Sequence, residues 1–152
     1  LNLKWYVGDN RGTDVLLTSP ANAGTPHGYD EIKQAAVHEM VHAYNSIVNE
    51  RMPLWINEGL ALYLTNGNPP ENLYSTSNSV PSLAQTHTAN PVEFSNMGGY
   101  HFAHTYIEYL DKSFGWDGVL TLARTSDCHA AFGMDEAAVY EGWVEFLKEN
   151  YR

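Results

Sequence analysis

The apolar and polar positions of this chain fall into two registers. Near the amino end the alternation has a period of two. Residues 3–7 and 14–18 read as strands, with a turn-rich stretch at 8–12 between them. Residues 20–28 form a Gly/Pro/Asn loop. From Asp30 the period changes. Ile32, Ala35, Ala36, Met40, Ala43, Tyr44 and Ile47 recur at helical spacing, with Asp30 as the expected N-cap and the end near Asn49. Pro53 suits the first turn of a second helix running through Leu64. Residues 65–98 are rich in Asn, Ser, Thr and Pro and predict a long irregular excursion. A third helix follows Gly98-Gly99, with Phe102, Ala103, Tyr106, Ile107 and Leu110 as its apolar positions. Residues 116–124 and 135–150 predict two more helices, the last with a core stripe of Val139, Trp143, Phe146 and Leu147. The expectation is one α+β domain over residues 1–152, a small amino-terminal sheet followed by mostly helix.

Composition narrows the function classes. With 18 acidic against 8 basic residues the formal charge is −10, which disfavours nucleic acid and anionic membranes as partners. No apolar run approaches the roughly 20 residues of a membrane-spanning helix. Cys128 is the only cysteine, so an intrachain disulfide and a cysteine-rich zinc site are both excluded. No signal peptide is read at the amino end. The uncharged Asn/Ser/Thr/Tyr-rich loops point towards an exported protein.

The chemistry lies in the strongest helical pattern. His38-Glu39-Met40-Val41-His42 fits H-E-x-x-H. Residues four apart share a helix face, so two imidazoles can reach one zinc ion. Glu39 projects beside that face, where a carboxylate can take a proton from a metal-acidified water. Ile32, Met40 and Ile47 lie away from the histidines and are expected to pack on the core. A third ligand is sought downstream, because catalytic zinc sites commonly use three protein ligands. Glu58 offers itself in Trp55-Ile56-Asn57-Glu58-Gly59, with fifteen residues between it and His42. It could be a solvated helix residue, but Trp55, Ile56, Leu60, Leu62 and Leu64 around it predict a buried helix, in which a carboxylate needs a partner.

At these residues the sequence resembles the gluzincin zinc metallopeptidases, in particular the peptidase MA-like and aminopeptidase N-like families, which pair H-E-x-x-H with a downstream N-E-G. The resemblance implies a zincin-like catalytic domain, zinc on His38, His42 and Glu58, and Glu39 as base and then proton donor. The segment from Gly99-Tyr100 to Leu110 is similar to one in which a Tyr opens a helix and stabilises the oxyanion, which implies that role for Tyr100. Other gluzincins use a His as oxyanion donor, which makes His104, one turn on, the second candidate. The family's Gly-Ala-Met-Glu-Asn-like reader of a substrate amino terminus is absent, which favours an endopeptidase over an aminopeptidase. Residues 14–19 resemble the edge strand that pairs with an extended peptide substrate. A thermolysin-like Asp four residues after Glu58 is replaced by Leu62, so no partner for the outer nitrogens of the histidines is assigned. The remaining His27, His87, His101 and His129 read as ordinary structural residues. The expected function is zinc-dependent peptide-bond hydrolysis. The alternative is a zinc-stabilised peptide-binding module without turnover.

Overall fold

The structure, a computed structural model, describes residues 7–19, 21, 26–77 and 79–152. It opens on a hairpin, β1 (Gly8–Arg11) and β2 (Asp14–Leu17), paired antiparallel with Gly8 opposite Leu17 and Arg11 opposite Asp14. Gly12 opens the two-residue connection at φ 61°, a left-handed conformation that glycine adopts without a Cβ penalty. The first strand therefore occupies positions the alternation pattern reads as a turn. Most of the expected strand at 3–7 lies outside the described residues, and Val7 is joined to the hairpin through its carbonyl, which accepts from Thr18 N–H at 2.9 Å.

The hairpin lies on α1 (Tyr29–Val48). The helix begins one residue before Asp30. Its cap is Gly28, whose N–H donates to Glu31 Oε2 at 3.1 Å, so Asp30 contributes first-turn charge and not the cap. Asn49 caps the other end, and its amide donates to Ala123 O at 3.1 Å and Ser126 Oγ at 2.9 Å. A second helix, α2 (Leu54–Leu64), follows Pro53. The 65–98 stretch contains three short helices, α3 (Leu73–Thr76), α4 (Leu83–Thr86) and α5 (Pro91–Asn96). Four to six residues are too few to show a helical period, which is why the sequence pattern misses them.

The long α6 (Gly99–Phe114) runs along α2, and α7 (Trp116–Thr125) and α8 (Cys128–Phe132) turn back towards α9 (Glu136–Asn150). The five-residue α8 is absent from the sequence reading. Its cap is Asp127, whose carboxylate accepts from His129 N–H at 2.8 Å and Ala130 N–H at 3.1 Å. The core sits between α2, α6 and α9. Phe102, Ala103, Ile107 and Leu110 are sealed from solvent with Val139, Trp143 and Leu147. Trp143 is held in place by rings on several sides and by its Nε1–H, which donates to buried Thr105 Oγ1 at 3.1 Å.

One expected core face is not a core face. Met40, Tyr44 and Ile47 are 61%, 65% and 69% exposed, and Leu64 on α2 is also largely exposed. Only Ile32 and Ala43 of the α1 apolar set are buried hydrophobics. Coarsely the architecture is α+β, mostly helical with a small two-stranded antiparallel sheet. No helix among the described residues is long and apolar enough to cross a membrane.

Candidate metal centre

Helical spacing puts His38 and His42 on one face of α1, and the packing of α2 carries Glu58 to meet them. His38 Nε2 and His42 Nε2 are 2.9 Å apart. Glu58 Oε2 lies 3.5 Å from His38 Nε2, and Glu58 Oε1 lies 3.5 Å from His42 Nε2. A tetrahedral zinc ion with bonds of about 2.0–2.2 Å would hold its ligand atoms about 3.3–3.6 Å apart. Glu58 approaches each histidine through a different oxygen at a separation in this range, and the imidazole edge needs to open slightly. Glu58 Oε2 is buried and makes no hydrogen bond, which leaves a carboxylate oxygen without the partner that burial demands. The orphaned oxygen and the convergent His/His/Glu donor set both fit a zinc ion.

Glycine explains how α2 delivers Glu58. A Cβ on Gly59 would lie 2.6 Å from Ala103 O, so the two helices approach to a distance only glycine allows. Exposure is graded across the three side chains. His42 is buried, His38 is about one-fifth exposed at its side chain, and Glu58 about one-seventh, at 7%, 21% and 15%.

Behind His42 stands the partner the sequence reading leaves unassigned. His42 Nδ1–H donates to Asn57 Oδ1 at 3.0 Å, and Asn45 Nδ2–H donates to the same oxygen at 2.8 Å. This bond fixes the His42 proton on Nδ1 and leaves Nε2 with a free lone pair, the form a metal requires. Asn57 was visible as the first residue of Asn57-Glu58-Gly59. Asn45 was missed. It lies in the last turn of α1, one turn after His42, and nothing in the local sequence marks it.

Glu39 is half-buried beside the three ligands. A Cβ on Gly8 would lie 3.1 Å from Glu39 Cγ, so β1 covers this side chain closely. Burial pushes the Glu39 carboxyl above its ordinary range. The His42 and His38 rings pull it back, and the Glu58 and Asp9 carboxylates add to the rise. A carboxyl with a raised proton affinity suits proton transfer near neutral pH.

The two oxyanion candidates are placed differently. Tyr100 opens α6, 42% exposed, with its ring edge-on to Phe94 at 4.9 Å. Gly99 lets this turn approach α5, since a Cβ there would sit 2.5 Å from Phe94 O. Burial raises the Tyr100 phenol, and the Glu58 carboxylate raises it further, which links Tyr100 to the ligand cluster. His104 is buried and packs against Tyr63 at 5.5 Å. It borders a hollow with Glu71, Glu108, Lys112 and Tyr151, whose lining includes none of the three ligands. Burial lowers the His104 imidazole, Glu108 opposes the shift, and His101 adds to it.

Of the remaining histidines, His87 pairs with Glu136 at 2.8 Å on the surface, and His27 lies 3.4 Å from Glu31. The 65–98 excursion and the start of α6 wall a hollow of about 910 Å³ lined by Gln85, His87, Glu93, His101 and Phe102 among others. Compared with known protein families, curated proteins and solved structures, the chain matches none.

Proposed function

We propose that this protein is a zinc-dependent peptidase of the gluzincin type, with a zincin-like catalytic domain, and that it cuts within peptide chains. The observation that carries the reading is the convergence of His38, His42 and the unbonded Glu58 carboxylate, with the donor atoms of all three lying within 4.8 Å of one another. In this reading those three residues hold the metal. When bound, zinc supplies Lewis acidity, which acidifies a water and polarises the substrate carbonyl.

The chain's own residues do the rest. Glu39 accepts the proton of the attacking water and carries it to the leaving amine, a transfer its raised proton affinity assists. Tyr100 donates its phenolic hydrogen to the oxygen that gains negative charge. Its exposure and its electrostatic link to Glu58 favour it over buried His104. Asn57 keeps His42 in the Nδ1–H form. The β1–β2 hairpin beside Glu39 offers an edge to which an extended peptide can add as a further strand, giving affinity through backbone bonds. The absence of a dedicated reader for a substrate amino terminus supports internal cleavage.

The test is a cleavage assay on a mixed library of unstructured peptides. Activity is expected, with loss on chelation and recovery when one equivalent of zinc is restored. Peptide cleavage that survives complete removal of metal overturns the reading.

A further inference from the structure

Asn45 has no place in the roles above, yet it is 5% exposed in the last turn of α1 and spends its amide hydrogen on one atom, Asn57 Oδ1, at 2.8 Å. The same oxygen receives His42 Nδ1–H at 3.0 Å. An Asn carboxamide has a donor end and an acceptor end of nearly equal size. Left alone, Asn57 could turn either end towards His42. If the NH₂ end faced the ring, Nδ1 would have to accept, and the imidazole proton would move to Nε2. That nitrogen is the one that faces His38 and Glu58.

We infer that Asn45 is a positioning residue that sets the polarity of the metal site, orienting the Asn57 amide so that His42 presents an unprotonated Nε2. The inference rests on the metal-centre reading for its purpose, but its mechanism operates in the metal-free protein. Two donors, Asn45 and His42, converge on Asn57, and only an oxygen satisfies both. Asn45 can reach that oxygen because it stands three residues after His42, on the same side of α1. The contact between the two imidazoles accommodates this tautomer. With the His42 proton on Nδ1, the 2.9 Å contact between the two Nε2 atoms needs a proton from His38, and that proton is the one an incoming metal would displace.

Two isosteric substitutions separate this role from simple packing. Asn45→Asp replaces the donor with an acceptor and turns the Asn57 NH₂ towards it, so His42 is driven to the Nε2–H form. Asn57→Asp keeps an acceptor for both donors. The experiment combines zinc titration against a competing chelator at pH 8 with long-range ¹H–¹⁵N spectra of the histidines in the metal-free protein. Asn45→Asp is expected to weaken zinc binding by about 10- to 100-fold, the usual cost of losing an outer partner of a ligand. It is also expected to switch the His42 tautomer. Asn57→Asp, which can only accept, is expected to keep the parent His42 tautomer in the metal-free protein. Circular dichroism checks the fold of each variant. If Asn45→Asp does not fold, Asn45→Ala removes only the donor and is expected to give mixed His42 tautomers. A parent-like tautomer in whichever Asn45 variant folds overturns the inference, as does parent-like zinc affinity there. A parent protein that binds no zinc overturns the metal reading instead, and the tautomer spectra then still decide the role of Asn45.

Discussion

Gly59 faces the Ala103 carbonyl so closely that a Cβ would come within 2.6 Å of the oxygen and 2.8 Å of Ile107 Cγ1. Neither the α6 backbone nor the sealed Ile107 can give way cheaply. The residue next to the candidate ligand Glu58 is therefore also the one that sets the spacing of α2 on α6. Gly59→Ala is expected to cost about 1–3 kcal/mol by overpacking. It should also move Glu58 away from the histidines. Calorimetry and zinc titration on the same variant check both effects, and a variant with parent melting temperature and affinity would show that the helix contact is slack.

Glu58 places an unsatisfied carboxylate oxygen inside the fold. Its Oε2 is buried without a hydrogen bond, and a buried group left unsatisfied costs about 1–3 kcal/mol. Glu58→Gln softens that cost in the metal-free protein. Its metal-free melting temperature is expected to equal or exceed that of the parent. The rise in melting temperature on adding zinc, which follows mass action, should be small or absent in the variant. Thermal scans with and without zinc check this. A variant that melts well below the parent without metal would mean that the 3.5 Å contacts of Glu58 with His38 and His42 outweigh the unsatisfied oxygen.

Glu39 should separate binding from turnover. Glu39→Gln preserves size and leaves the three donors in place, so zinc stoichiometry is expected to be unchanged. Turnover is expected to fall by about 10²–10⁴, the usual contribution of a general base. The check is kcat on a peptide substrate beside a zinc assay of the same preparation. Undiminished cleavage would remove Glu39 from the base role.

Tyr100 and His104 make a paired test. Tyr100→Phe deletes one hydroxyl at an exposed position and should lower kcat by about 10²–10³, as loss of an oxyanion donor does. KM and zinc affinity should change little. His104→Gln should leave kcat nearly intact, because its ring packs on Tyr63 and borders a different hollow. The opposite pattern in kcat would exchange the two roles.

The convergence of His38, His42 and Glu58 was legible from their spacing. Residues four apart share a helix face, and the downstream N-E-G lies on a second helix packed against the first. The large helices were legible for a related reason, since α6 and α9 each keep a full apolar stripe from Phe102 to Leu110 and from Val139 to Leu147. Period alone could not say which side of α1 would be covered. Met40, Tyr44 and Ile47 repeat at helical spacing, but the described residues do not bury them. Nor could period reveal Asn45, whose role depends on the rotation of α2 against α1, a tertiary relationship with no local signature. Short helices such as α4 and α8 owe their existence to caps and to neighbours, and four or five residues carry too little pattern to announce them.

His104 gives the structure a pH dependence of defined sign. Burial holds its imidazole below the ordinary value of 6.5, and Glu108 offsets that only in part. The unfolded chain therefore takes up a proton at a higher pH than the folded one. Above pH 6.5 both states are mainly neutral at this position and it contributes no slope. As pH falls below that value the unfolded state binds the extra proton first, and stability declines until the folded-state value is passed. Melting temperature measured from pH 7.5 to pH 4.5 on metal-free protein should fall more steeply for the parent than for His104→Gln. The difference between the two curves isolates this residue from the other six histidines. Parallel curves would mean that His104 is free to protonate in the folded protein, and that the hollow beside Glu108 admits enough water to solvate its charge.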